Sequence, residues 1–217
     1  MTLKNKILIS KELAERLKRH RVGRLQFEAL IKHHLAPSDF KLVMRSYRWA
    51  KNGHKGQPRD DGERYFEHPK AVALITIQEL GIFQRNIIIT ALLHDLQEDT
   101  YMATWEDIED NFGKQVVCWV RALTKEPDKD YLVNLLGSSP EALLIKCCDR
   151  LHNLRTLAGC SKRKQLKQIN ETREKFPKVL NALKRKLRAK DSWQAEYLEI
   201  QIFGECSKIE ESLSKRP

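Results

Sequence analysis

Apolar residues recur at intervals of three and four along most of the chain, which is the period of an amphipathic helix. The first such segment covers residues 13–31 and is predicted to end near Ala36. Ser38 and Asp39 carry side chains that cap helices and are predicted to begin a second helix, which runs to Ala50. No stretch alternates between apolar and polar residues over a useful length. The chain is therefore predicted to have an all-α fold.

The rest of the chain continues this pattern of helices separated by polar segments. Two connections are predicted to be loops, residues 52–65, which are rich in glycine, proline and charge, and the polar residues 126–139. Gly81 is expected to end the helix before it, while Thr104 and Pro140 suit the start of the helices that follow them. The remaining predicted helices cover residues 68–80, 84–97, 104–111, 115–124, 140–157, 165–189 and 191–214.

With 217 residues the chain is long enough to bury one real core. We divide it into an N-terminal helix at 1–37, a main domain at 38–185 and a C-terminal helical extension at 186–217 that packs on that domain. No apolar run approaches the roughly 20 residues of a membrane span, and the N-terminus lacks the apolar core of a signal peptide. The five cysteines form no CxxC pair. These features lead us to expect free thiols and a cytoplasmic location.

The formal net charge of +11 indicates an anionic partner. Basic residues greatly outnumber acidic ones between residues 162 and 190. Charge alone fits a phosphorylated small molecule, an acidic membrane surface or a nucleic acid. Charge alone does not choose among these partners; only the family resemblance described below implies a small-molecule nucleotide and no membrane partner, with nucleic acid kept as an alternative. A homo-oligomer is a further alternative, because apolar residues near the C-terminus could pack on the domain or on a second copy.

The first candidate site residues are His94 and Asp95, which interrupt the most apolar predicted helix. Burying a carboxylate without a partner costs several kcal/mol, and a divalent cation would offset that cost. Glu98 and Asp99 lie one helical turn further on and are predicted to project over the same side. This arrangement is typical of a metal-bound water with a carboxylate beside it to orient or deprotonate it.

A second group of polar residues lies on one face of the helix at 140–157. Asp149, His152, Asn153 and Thr156 are spaced i, i+3, i+4 and i+7, so they form a stripe in a segment that is otherwise apolar. His68, which follows the loop at 52–65, is the remaining candidate ligand. Two histidines and two carboxylates make a mixed nitrogen and oxygen site, which suits manganese, iron or zinc better than calcium.

At this point the sequence resembles the hydrolase domain of the RelA/SpoT family, whose members degrade the alarmone (p)ppGpp in the stringent response. The matching stretches occur in the family's order, and they are HKGQPR at 54–59, GERYFEHPKAVA at 62–73, ALLHDLQEDT at 91–100, FG at 112–113, LTK at 123–125, IKCCDRLHNLRTL at 145–157 and ET at 171–172. The chain is too short for the synthetase and regulatory domains of long members. It therefore resembles the stand-alone small alarmone hydrolases.

The resemblance implies an HD-domain helical fold and a role for each matching residue. A manganese ion would be held by His68, His94, Asp95 and Asp149, and Glu98 and Asp99 would act on the attacking water. Arg59 would stack on the purine, and Tyr65, Asn153 and Thr156 would line the nucleoside pocket. The implied reaction is removal of the 3′-pyrophosphate from guanosine tetra- or pentaphosphate, which gives GDP or GTP and pyrophosphate.

The sequence departs from the family after Arg59, where Asp60 and Asp61 replace a basic residue and a small hydroxyl residue. Two acids beside the expected base pocket are taken to weaken the case for guanine. One alternative is therefore an HD phosphohydrolase that acts on another nucleotide, such as ppApp or NADPH. The other is a non-catalytic basic module that binds RNA or the ribosome on an HD scaffold.

Overall fold

The computed structural model describes residues 22–60, 62–100, 102–126 and 130–215, which are mostly helical. These residues contain no strand, and their one β-type pairing is an isolated bridge between Pro58 and Arg64. The predicted all-α fold is thus confirmed. The helices are α1 Arg24–Lys32, α2 Pro37–Gly53, α3 Glu67–Leu74, α4 Arg85–Leu93, α5 Leu96–Asp99, α6 Trp105–Phe112, α7 Lys114–Leu123, α8 Tyr131–Gly137, α9 Pro140–Arg155, α10 Lys162–Lys186 and α11 Ser192–Ser214. Over the part of the chain that the structure describes, none of these helices is both long and apolar enough to cross a membrane.

Helix α4 lies at the centre of the domain. Every residue from Ile87 to Leu93 is buried, as the apolar pattern predicts. It packs against α2, α3, α7 and α9, so its C-terminal end is surrounded by other helices. Burial of this kind comes from tertiary packing on all sides rather than from one amphipathic face. The helix therefore holds the end at His94 in a defined position.

Helices α9, α10 and α11 pack against one another and form the second part of the molecule. The C-terminal helix α11 is attached to the domain by polar contacts as well as by apolar ones. Gln194 donates a hydrogen bond to the carbonyl of Leu80, and the hydroxyl of Tyr197 donates one to Glu79. Glu79 belongs to a π-helical turn, Ile75–Glu79, that extends α3.

Several predicted boundaries are wrong. The segment 126–139 is not all loop, because α8 forms within it, with Asp130 accepting a hydrogen bond from the amide of Val133 and with Leu135 buried against the core. The helix predicted at 84–97 is divided into α4 and α5. The first helix ends at Lys32, and residues 13–21 of its prediction lie outside the described residues.

Helix α2 begins one residue earlier than expected. Pro37 occupies its first turn after an extended Ala36, and Ser38 and Asp39 lie inside the helix rather than capping it. Proline suits this position because the missing amide hydrogen would have no partner there and its fixed φ is already helical. The helix predicted to run to Ala50 continues to Gly53. Gly81, which is expected to end the helix before it, follows the π-helical turn that ends at Glu79 and has a φ of 66°.

Candidate metal centre and active site

The break between α4 and α5 orients His94. Its ring Nδ1 lies 2.9 Å from the carbonyl oxygen of Ala91, which can only accept a hydrogen bond, so Nδ1 carries the proton. The other ring nitrogen, Nε2, then presents a lone pair. Nε2 of His94 is buried and has no hydrogen-bond partner.

Four side chains converge around this nitrogen. Nε2 of His68 lies 3.2 Å from Asp149 Oδ1 and 3.4 Å from Asp95 Oδ2. Nε2 of His94 lies 3.2 Å from Asp95 Oδ1 and 3.9 Å from Asp149 Oδ1. Ligand atoms of His68, His94 and Asp149 all fall within 4.8 Å of one another. The geometry brings together the four residues that the sequence nominates as ligands, from α3, the end of α4 and α9.

This donor set fits a divalent metal ion. An orphaned buried nitrogen is costly unless something binds its lone pair, and a cation would do so. Two imidazoles and two carboxylates form the mixed set that first-row transition metals and zinc accept. His68, His94 and Asp149 are buried, and Asp95 is partly buried. The four residues can therefore hold an ion at the inner end of a cleft.

The charges at this point favour a cation. Burial acts to lower the pKa of His68, but the neighbouring Asp149 and Asp95 outweigh burial and raise it. Burial acts to raise the pKa of Asp95 and of Asp149, but electrostatic interactions and hydrogen bonds with neighbouring side chains keep both below their ordinary values. For Asp95 the main such neighbour is His94, and for Asp149 it is Lys146. The carboxylates that stabilise a proton on His68 would attract a metal ion in the same way.

Each ligand is held by a partner behind it. Asp149 Oδ2 accepts a hydrogen bond from Lys146 at 2.8 Å, and its Oδ1 accepts one from Asn153 at 2.6 Å. Nδ1 of His68 lies 2.8 Å from Nδ1 of His152, and burial holds the pKa of His152 well below its ordinary value. A metal ion on Nε2 of His68 requires the proton of that ring to be on Nδ1, and a neutral His152 can accept the hydrogen bond from it.

Glu98 and Asp99 lie at the exposed side of this group. The hydroxyl of Tyr65 lies between two carboxylates, 2.5 Å from Asp99 Oδ2 and 2.9 Å from Asp95 Oδ2, and it donates its single proton to one of them at a time. Glu98 pairs with Lys125, whose Nζ lies 3.3 Å from Oε1. Both carboxylates are solvent-accessible and line the cleft, so either one can reach a water molecule bound near the metal ligands.

The four residues nominated for substrate binding also come together. The guanidinium of Arg59 donates to Asn153 Oδ1 at 2.9 Å and to Thr156 Oγ1 at 3.3 Å, and it lies 6.0 Å from the ring centre of Tyr65. Arg59 and Tyr65 come from the loop after α2, whereas Asn153 and Thr156 come from the end of α9. Residues 94 positions apart thus form one wall of the cleft.

The cleft has a volume of about 690 Å³, and several of its residues were not singled out from the sequence. Tyr131 belongs to the unpredicted helix α8, and Lys146 stands three residues before Asp149 on α9. The apolar and charged residues of α10 close the far side. The cationic residues that line the cleft are Arg59, Lys125, Lys146, Arg150, Lys164 and Lys175. The sequence could have indicated Lys146, because it lies three residues before Asp149 and therefore on the same side of α9. Lys164 and Lys175 line the cleft only because of how α10 packs.

The unusual Asp60 has a partner in the structure. Its carboxylate forms an ion pair with Lys164, in the first turn of α10, across the mouth of the cleft. Asp61, the second acid of the departure, lies outside the described residues. The basic run at 162–164 therefore contributes one of its members to the cleft rather than only to the outer surface.

Comparisons with known proteins identify similar chains and a matching domain family. The family model of the HD domain matches residues 46–128. The guanosine-3′,5′-bis(diphosphate) 3′-pyrophosphohydrolase of Aquifex aeolicus is 36% identical over 166 residues, covering 72% of this chain and 23% of the relative. The bifunctional (p)ppGpp synthase/hydrolase SpoT of Escherichia coli is 32% identical over 167 residues, covering 71% of this chain and 23% of the relative. The GTP pyrophosphokinase of Streptomyces coelicolor is 33% identical over 157 residues, covering 67% of this chain and 18% of the relative.

A solved structure is similar over nearly all of its length. It is described as a metazoan ortholog of SpoT that hydrolyzes ppGpp, and it matches with a TM-score of 0.60 and 28% identity, covering 74% of this chain and 94% of that chain. The chain spans about a quarter or less of the length of the three curated relatives. With the ordered motifs and the helical fold, these matches show an HD domain at residues 46–128 in a chain that is similar to a (p)ppGpp 3′-pyrophosphohydrolase and to SpoT-type enzymes.

Proposed function

We propose that this chain hydrolyses the 3′-pyrophosphate of guanosine 3′,5′-bis(diphosphate) and of the corresponding pentaphosphate, with a divalent metal ion held by His68, His94, Asp95 and Asp149. The observation that carries the proposal is the convergence of two imidazole nitrogens and two carboxylates around the buried, unpartnered Nε2 of His94. The similarity to a 3′-pyrophosphohydrolase of Aquifex aeolicus supports the same substrate class.

Manganese is the ion we propose, and iron and zinc also accept this donor set. When bound, the ion would supply a Lewis acid that lowers the pKa of a water molecule and neutralises phosphate charge. In the reaction, the water oxygen forms a bond to the phosphorus next to the ribose 3′ oxygen. The bond between that phosphorus and the 3′ oxygen breaks, the 3′ oxygen takes up a proton to become a hydroxyl group, and pyrophosphate is released together with GDP or GTP.

The residues of the chain have separate tasks in this proposal. Asp99 and Glu98 orient the water and accept its proton, and Tyr65 holds Asp99 in position through its hydroxyl. Arg59, anchored by Asn153 and Thr156, provides a flat cation against the purine. The cationic residues Lys125 and Lys146 offset the charge of the substrate phosphates.

The test is a hydrolysis assay with the purified protein, manganese and a panel of ppGpp, pppGpp, ppApp and NADPH, in which pyrophosphate and phosphate release are followed. Asp95→Asn is the site variant, and Asp110→Asn, which changes an exposed acid on α6, is the matched control. Pyrophosphate release from ppGpp that is lost only in Asp95→Asn is the expected result.

Other outcomes would point to the alternatives. Turnover of ppApp or NADPH without turnover of ppGpp would keep the site and change the substrate. No turnover of any nucleotide by a metal-loaded protein, together with RNA binding that weakens steeply with salt, would replace the enzyme by a binding module. Elemental analysis of the protein as purified would identify the metal.

A further inference from the structure

The ion pair between Asp60 and Lys164 lies at a side pocket of the main cleft. This pocket has a volume of about 130 Å³ and is entered beside Arg59, Asn153 and Thr156. Asp60 is the one carboxylate among the described residues that line it. The nucleoside-binding residues of the proposed function therefore share a pocket with one acid and one ammonium group.

The position of Asp60 is fixed by the backbone around it. The amide of Arg59 donates to the carbonyl of Glu63 at 2.7 Å, and the amide of Gly62 donates to the carbonyl of Arg59 at 2.9 Å. Gly62 has a φ of 81°, a conformation that suits glycine in a tight turn. The turn therefore carries Asp60 next to Arg59, and Lys164 holds its carboxylate from the opposite side of the pocket.

We propose that Asp60 and Lys164 together read the hydrogen-bonding edge of guanine and make the enzyme prefer guanosine over adenosine substrates. This inference rests on the proposed hydrolase function. A carboxylate only accepts hydrogen bonds and an ammonium group only donates them, and each keeps free capacity while they pair with each other. The guanine edge has two neighbouring N–H donors, at N1 and N2, followed by the acceptor O6. Asp60 would accept hydrogen bonds from N1 and N2, and Lys164 would donate one to O6, so the pair matches this order.

Adenine has the opposite pattern on the same edge. Its N1 is an acceptor that would face the carboxylate, and its N6 amino group is a donor that would face the ammonium group. Both contacts would be mismatched, and a site that hydrogen-bonds one base edge discriminates against a base that presents the opposite pattern. In the sequence, the acids after Arg59 weaken the case for guanine. Because Asp60 pairs with Lys164, it instead acts in this proposal as a residue that favours guanine.

The experiment compares kcat/KM for guanosine and adenosine 3′,5′-bis(diphosphate) in the natural protein, in Asp60→Ala and in Lys164→Met, with Asp110→Asn as the control. We expect a guanosine preference that falls roughly ten- to hundredfold in Asp60→Ala, falls less in Lys164→Met and does not change in the control. An unchanged ratio in Asp60→Ala would overturn the proposal, and so would a natural protein that hydrolyses both nucleotides equally well.

A second measurement separates this inference from the hydrolase function itself. Titration calorimetry of the same two nucleotides, with EDTA present to prevent turnover, gives the ratio of their dissociation constants. Selective guanosine binding that depends on Asp60 would support the inference even if neither nucleotide is hydrolysed, in which case the hydrolase proposal alone fails. Equal binding of the two nucleotides, or no binding of either, would overturn the inference.

Discussion

The carboxylate of Glu79 and the guanidinium of Arg155 form a buried two-point ion pair, with N–O distances of 2.6 and 3.0 Å. Glu79 ends the π-helical turn after α3, and Arg155 ends α9, one residue before Thr156. Tyr197 of α11 donates its hydroxyl to the same carboxylate. The pair thus connects the C-terminal helix with the end of the helix that carries Asp149 and Asn153.

We expect Glu79→Gln to lower the free energy of unfolding by about 3–5 kcal/mol, because it breaks the two-point ion pair between the buried Glu79 and the largely buried Arg155. Urea denaturation followed by circular dichroism would measure the change. The control is Glu210→Gln, which breaks an exposed pair with Arg173 and should cost less than about 1 kcal/mol. Equal losses in the two variants would show that burial of the Glu79 pair contributes nothing.

His152 should matter for metal binding although it is not itself a ligand. Because it accepts the hydrogen bond that orients His68, His152→Ala should weaken manganese binding by about 10- to 100-fold. Titration of the metal-free protein with manganese would measure this, and the exposed His33→Ala would be the control. Unaltered manganese affinity in His152→Ala would contradict the orienting role.

The stability of the protein should depend on the protonation of Glu171 in acid. Burial acts to raise its pKa, but Arg150 and Lys175 outweigh burial and lower the pKa below its ordinary value of 4.5. A group whose folded pKa is lowered stabilises the protein above its unfolded pKa, and this contribution is lost as the pH falls through the folded pKa. The difference in unfolding free energy between the natural protein and Glu171→Gln should therefore be largest above about pH 5 and shrink below 4.5.

The control for this pH dependence is Glu174→Gln, which changes an exposed acid on the same helix. Its effect on the unfolding free energy should be small at every pH. Because Glu171 is partly exposed, its contribution should be no more than about 1 kcal/mol. A difference for Glu171→Gln that grows as the pH falls would have the wrong sign and would refute the assignment.

The cysteines should differ widely in reactivity toward a thiol reagent such as DTNB. Cys118 is exposed, whereas Cys147 and Cys148 are buried, and burial raises the pKa of both buried thiols. Since the thiolate is the reactive form, Cys118 should react first in the folded protein and the buried pair only after unfolding. Cys118→Ser should remove the fast phase, and a fast phase that persists in this variant would contradict the assignment.

Much of the fold and of the metal centre could be predicted from the sequence, and the reason is local spacing. A helical period of apolar residues predicts α4 and α9, and the ligands His94, Asp95 and Asp149 stand on those two segments or at their ends. Polar groups in an otherwise apolar helix need a partner, so the pattern itself indicates a site. The order of short motifs then indicates the family and the roles of Arg59 and Tyr65.

Tertiary structure decided the contacts that join distant segments. Helix α8 is short, and apart from its Asp130 cap it is stabilised by the packing of Leu135, so the sequence does not indicate Tyr131 as a cleft residue. The pairs Asp60–Lys164 and His68–His152 join residues that lie far apart along the chain. No periodicity carries information about such pairs, because their distances depend on how whole helices pack. The sequence alone therefore determined which groups could bind a metal, and the packing of the helices decided what surrounds them.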